Sequence, residues 1–233
     1  MDILFPGILI FISFLVSASC GLGGSLILIP GLSWILGIKE GIVMSSLLLG
    51  LNNLVKLFFY RKEIRCRPSF QLLFLMLAGT ALGALLMLKA NSKLLSLFLF
   101  VHVLLSFLIQ HKATETVKRK TGLLFSFLSG FCSGFTGTSG PLKGLAVKCF
   151  MNIKTEVVAA ASILSLASDS LKSTIYLQNF STDIVNLQWL GYSIIIMPLA
   201  TWMGRSLNKK MSSRAYDTLF YFVMGGYVIR ILL

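Results

Sequence analysis

Between Cys20 and Gly31 the sequence reads CGLGGSLILIPG, and between Thr136 and Gly144 it reads TGTSGPLKG. Each is a break of small residues inside a strongly apolar region. In a soluble chain such a break is a surface loop. Here the flanks are long apolar runs, so the breaks fall at membrane depth. Irregular backbone is tolerated there only where it is buried in protein or lines a cavity, because lipid offers no partner for its N–H and C=O groups. The rest of the chain has to fold around that constraint.

The apolar runs cover residues 4–19, 24–37, 41–60, 69–88 and 94–110, then 121–135, 140–152, 155–177, 188–205 and 214–232. A crossing needs about 20 apolar residues at about 1.5 Å of rise each. The third, fourth and fifth runs of each set are long enough. The first two of each set are shorter and meet at the glycine-rich break. Glycine there leaves φ unrestricted and admits a second backbone or a ligand at close range. A short helix, a glycine tip and another short helix describe a hairpin dipping into the membrane; two thin full crossings fit as well. Only 12% of the 233 residues are charged, against about 25% in an ordinary globular chain. That share excludes a soluble domain on a single anchor. Ahead of the first run stands Asp2, where a cleaved signal would carry basic residues, so that run is expected to stay in the mature fold.

The two sets of runs read as copies. At an offset of 116 residues Gly21 falls on Gly137, Gly24 on Gly140, Glu40 on Glu156, Ser46 on Ser162, Lys56 on Lys172 and Tyr60 on Tyr176. At an offset of 121 Thr80 meets Thr201, Gly83 meets Gly204 and Lys89 meets Lys210. Internal symmetry of this kind is a usual feature of transporters. The repeats are 1–110 and 121–233, with 111–120 as a polar connector.

Loop charge sets the sense of the repeat. Arg61, Lys62, Arg65 and Arg67 make the first loop basic, and Lys112, Lys118, Arg119 and Lys120 make the connector basic. In the second set the counterpart of the first loop, 178–187, has no Lys or Arg, while 205–214 carries Arg205, Lys209, Lys210 and Arg214. Basic loops face the cytoplasm. The bias swaps between copies, so the second is expected to lie inverted, with both termini outside; Lys89 and Lys93 sit against the rule. The net charge of +13 therefore belongs to an anionic lipid leaflet and not to a nucleic acid.

Several chemistries find no residues here. Cys20, Cys66, Cys132 and Cys149 show no metal-ligand spacing, and no nucleophile elbow, HExxH or P-loop is present. No catalytic residue, metal or cofactor is expected. His102 reads as a hydrogen-bonded interior or lipid-margin residue and His111 as a loop residue, while Trp34, Trp189 and Trp202 sit near run ends, as interface aromatics do.

What remains points to an anion. A helix starting after each break aims unpaired N–H groups and a positive dipole end at the gap, an arrangement that binds anionic oxygens. The candidate tip residues are Gly21, Gly23, Gly24 and Ser25 in the first break, and Thr136, Gly137, Thr138, Ser139 and Gly140 in the second. The alternative is that the glycines only let helices pack closely. Lys56 and Lys172 stand at matched positions inside the third runs, and Lys143 follows the second break. Intramembrane charges are costly and usually functional, although a lysine near a helix end also reaches the interface along its stem. Asp169 shares a helix face with Lys172 three residues on. It is the candidate for proton coupling, and Asn53 replaces it in the first copy. Asn52, Asn53 and Ser168 are candidate polar lining, with simple packing as the alternative.

The GLGGSLILIPGL and SGFTGTSGPLKG stretches, with the matching third runs, resemble the TauE/SafE family of membrane permeases, the sulfite exporters. Members often carry a third glycine where this chain has Ser25, and Ser139 stands for a glycine in the second motif. The resemblance implies a permease of the bacterial plasma (inner) membrane for sulfite or small organosulfur anions such as sulfonates. The expected fold is all-α and integral to the membrane. It has two inverted repeats, each a short glycine-broken helical hairpin followed by three transmembrane helices, roughly eight to ten membrane segments in all. The expected mechanism is alternating access with possible proton coupling. The expected partners are the anion, lipid and a second copy of the chain. A passive anion channel of the same fold and a non-transporting membrane assembly protein are the other readings.

Overall fold

The computed structural model describes residues 4–20, 24–64, 70–112, 119–150, 154–180 and 186–210, with the single residues 212 and 218. Gly21 and Gly23, most of the connector 111–120 and nearly all of the last apolar run lie outside the described residues. Among the described residues every regular element is helical. The first half holds α1 (Leu4–Cys20), α2 (Gly24–Leu36), α3 (Ile38–Phe59), a short 3-10 turn (Arg61–Glu63), α4 (Phe70–Lys89) and α5 (Ser92–Lys112). The second half holds α6 (Arg119–Thr136), α7 (Gly140–Lys148), α8 (Lys154–Asn179) and α9 (Leu187–Lys210).

Two glycines with positive φ punctuate these helices. Gly37, at φ +100°, is the single residue between α2 and α3. Gly137, at φ +80°, ends α6 and turns the chain toward α7. Such angles strain any residue with a Cβ. Pro141 follows in the first turn of α7, where its missing N–H costs no helical bond.

The distribution of polarity is reversed from that of a water-soluble domain. Phe70, Ile195 and Leu187 are each more than three-quarters exposed. Meanwhile Lys56, Lys143, Lys172, Asp169 and many serines are buried. Large apolar side chains face outward as well as filling the core, and the buried charges lie inside, the arrangement that a lipid solvent requires. By length and hydropathy two of the described helices, Ile38–Phe59 and Phe70–Lys89, are long and apolar enough to cross a membrane. α1, α2 and α7, with 17, 13 and 9 residues, fall short in length. α8 is long, at 26 residues, but carries Lys154, Glu156, Asp169 and Lys172. Two of those, Asp169 and Lys172, are buried in the interior, which a count of residues along the helix does not see.

α3 and α8 lie antiparallel at the centre. Ser46 bonds Ser173 at 2.9 Å near one end, Asn53 bonds Asp169 at 2.7 Å in the middle, and Tyr60 packs on Val158 and Ala159 at the other end. α4 runs along α6 and α8, while α1 runs along α9 and α2. The α4–α6 crossing is built on glycine. A Cβ at Gly83 would stand 2.2 Å from the Phe131 carbonyl, and one at Gly134 2.2 Å from the Thr80 carbonyl. The α1–α9 crossing does the same at Gly204, 2.5 Å from the Leu15 carbonyl. Such close backbones are how helices gain dispersion energy where lipid removes the hydrophobic drive. Trp34 and Trp202 are exposed, as interface aromatics would be, but Trp189 is 5% exposed and belongs to the core.

Candidate functional site

The two breaks meet. In the first, α2 begins at Gly24 against α1, so closely that a Cβ there would stand 2.6 Å from the Ser17 Cβ. In the second, Gly137 turns under Ile29 of α2, and a Cβ would stand 2.6 Å from the Ile29 Cδ1. Between them is a cavity of about 310 Å³ that includes space open to the surroundings. Gly24 and Ser25 line it from the first tip, and Gly137 and Ser139 from the second. Asn53 and Lys56 reach it from α3, Asp169 from α8 and Lys143 from α7. Ser17, Leu49 and Ser165 complete the wall.

Each ammonium in this interior has a defined partner set. Lys56 donates to the Ser17 hydroxyl at 2.9 Å. Lys143 donates to Ser139 Oγ at 3.3 Å and to Ser165 Oγ. Lys172 donates to Ser133 Oγ and to the Gly137 carbonyl, both at 3.2 Å, and pairs with Asp169 Oδ1 at 2.8 Å. The other carboxylate oxygen of Asp169 accepts from Asn53 Nδ2 at 2.7 Å. Asp169 is thus committed to Lys172, and among the described residues neither Lys56 nor Lys143 has a carboxylate at ion-pair distance. Burying a charge is expensive unless it is paired. The chemistry that relieves two such ammoniums is a negative charge in the cavity. Among the described residues no three His, Cys, Asp or Glu side chains group as metal ligands; the donors here are ammonium, hydroxyl and amide.

Other candidates sit behind the wall. Lys172 is 0% exposed and anchors the second tip through the Gly137 carbonyl. Ser168 bonds Thr80 at 2.9 Å and Ser133 at 3.0 Å. Asn52 accepts from Thr201 at 3.4 Å and faces α9, away from the cavity. Thr136 and Thr138 share a 3.3 Å contact within the break, and Gly140 opens α7 beside them. These residues shape the site without lining it. Lys56 is 2% exposed, so it turns inward and does not reach for the interface, despite Arg61 five residues on.

Ser17, Leu49 and Ser165 are wall residues that pattern reading passes over, because serine and leucine are common on every helix face here. One signal was available for the first. Ser17 precedes Lys56 by 39 residues, as Ser133 precedes Lys172, and both serines accept from those lysines. Further contacts recur at the same offsets. Tyr60 bonds the Ala18 carbonyl and Tyr176 bonds the Gly134 carbonyl. Thr80 meets Ser168, and Thr201 meets Asn52.

Helices throughout the described residues, large apolar side chains on the outside and a cavity lined by lysines where two helix breaks meet are features of the membrane transport proteins as a class. The particular family is then shown by a match of residues 7–231 to the family model described as sulfite exporter TauE/SafE. The match covers nearly all of the 233 residues, and the chain belongs to that family of membrane transporters. No curated protein and no solved structure matches the chain.

Proposed function

We propose that this protein is a permease that carries a small sulfur oxyanion or sulfonate across the plasma membrane by alternating access. The observation that carries the reading is the pair of ammoniums, Lys56 and Lys143, in a cavity formed where two helix breaks meet. Discontinuous helices with their tips at the midplane are how transporters present backbone donors to anionic substrate groups. The anion occupies the space between Ser25 and Ser139 and takes the place of the missing carboxylates.

The two halves act as inverted repeats. Supporting this are the antiparallel central pair α3 and α8 and the contacts that recur at constant offset, from Lys56–Ser17 and Lys172–Ser133 to the two tyrosine–carbonyl bonds. Access alternates as the halves exchange the shapes they hold around the Asn53–Asp169 contact. Asp169 is the residue at which a proton enters the cycle, since it is the carboxylate of the cavity wall.

Flux in proteoliposomes tests the reading. The expected result is saturable uptake of sulfite or a sulfonate, accelerated by counterflow and increased by a pH gradient. Non-saturable flux without counterflow would make the protein a channel. Folded protein that moves no anion would overturn the permease reading.

A further inference from the structure

The cavity is unevenly built, and the unevenness falls on one lysine. Several polar positions of the wall have a polar counterpart in the other half: Lys56 matches Lys172, Asn53 matches Asp169 and Ser17 matches Ser133, with Lys172 and Ser133 behind the wall. Lys143 breaks the pattern, because the position 116 residues before it is Ile27, which is not on the cavity wall. Its partner Ser165 breaks it too, since Ser165 corresponds to Leu49 on the facing wall. One half therefore contributes Lys143 and Ser165 to the cavity, where the matching positions of the other are Ile27, off the wall, and the isobutyl group of Leu49.

The ionised groups can be balanced. Asp169 neutralises Lys172 at 2.8 Å. Among the described residues Lys56 and Lys143 have hydroxyl partners in place of carboxylates, so the fully ionised site carries two positive charges in excess. A singly charged anion leaves one buried ammonium uncompensated; a doubly charged anion leaves none. The hydroxyls agree with this. Ser17, Ser139 and Ser165 each accept from a lysine through oxygen, and a hydroxyl that accepts still has its proton to donate. Three O–H donors on different walls suit several anionic oxygens on one atom. Among the described residues of the wall Leu49 is the one large apolar side chain, which gives an organic tail little to pack against there.

We infer that this site selects a doubly charged oxyanion without an organic tail, and that Lys143 is the residue that sets this charge preference. The inference rests on the anion-permease reading and narrows it. Lys56 belongs to the part shared by both halves and provides anion binding as such; Lys143, supplied by one half only, provides the second charge.

Binding of four anions to the purified full-length chain tests it, read as thermal stabilisation in detergent and as competition in proteoliposome uptake. Sulfate and thiosulfate, both doubly charged at neutral pH, are the dianions; methanesulfonate and nitrate are the monoanions. The wild-type protein is expected to favour the dianions by about tenfold or more. Lys143→Ile, which installs the residue of the matching position, is expected to bring the two classes within about twofold, with Lys143→Arg restoring the preference. Lys143→Met serves if the isoleucine variant does not fold. Tighter binding of methanesulfonate than of either dianion, or an unchanged ratio in the neutral variants, overturns the inference while leaving an anion permease standing. A folded protein that binds and carries none of the four overturns both.

Discussion

At the scale of single residues, the carboxylate of Asp169 organises the described interior. Asp169 holds Lys172 with one oxygen and Asn53 with the other, and Lys172 in turn holds the Gly137 carbonyl at the tip. Removing one partner of a buried ion pair leaves the other charge stranded, at a cost of about 3–5 kcal/mol. Asp169→Asn is therefore expected to lose about 3 kcal/mol or more, measured by unfolding in detergent. Adding Lys172→Met should return most of that loss, because no unpaired ammonium then remains. Equal stability of the single and double variants would show that the pair is not what holds the tip. The sequence shows these residues as candidates, since charges inside apolar runs are rare. It leaves Lys56 undecided between interior and interface. Its place is decided by Ser17, 39 residues away in the chain.

At the scale of elements, the helices are legible from hydropathy, and their ends follow the glycine and proline positions that terminate or start them. Their neighbours are less so. A glycine in a membrane helix is compatible with a crossing, a kink or nothing in particular. Gly83 and Gly204 occupy crossings, with carbonyls at 2.2 Å and 2.5 Å from where a Cβ would be, while Gly7 has nothing within 4 Å. Gly83→Ala and Gly204→Ala are each expected to destabilise by about 2 kcal/mol or more through overpacking against backbone. Gly7→Ala should be neutral or gain up to about 1 kcal/mol from helix propensity. Thermal unfolding of the three variants side by side checks this. A similar loss at Gly7 would point to a shared backbone effect and away from the crossings.

At the scale of the whole molecule, Arg205 of α9 pairs with Glu63 of the 3-10 turn at 2.6 Å, and its guanidinium lies 5.5 Å from the centre of the Tyr60 ring. The first basic loop and the basic end of α9 therefore share one end of the protein. Because both partners are partly exposed, this clasp contributes little to stability by itself; its value is in showing which ends lie together. α8 runs antiparallel to α3 and takes Asn179 to the opposite end. With the positive-inside bias, Lys62→Cys and Lys209→Cys are expected to react with an impermeant thiol reagent only from the cytoplasmic side. Asn179→Cys should react only from the outside, with labelling read in a background where the native cysteines are replaced. Labelling of Lys62→Cys and Asn179→Cys from the same side would remove the inverted topology.

The sequence by itself determined that the chain is helical, that it resembles a permease family, where its runs break and which loops are basic. Each of these depends on local composition or on a short motif, and local composition is written along the chain. The tertiary structure decided what the CGLGGSLILIPG break faces. It set that tip against Gly137 and Ser139, turned Lys56 and Lys143 into the same cavity, and gave Asp169 to Lys172 and to neither of them. The physical reason is that the energy of a buried charge depends on what lies within a few ångströms of it. Those neighbours come from residues tens of positions away, such as Ser17 for Lys56 and Ser165 for Lys143. No pattern of spacing along one helix contains that information.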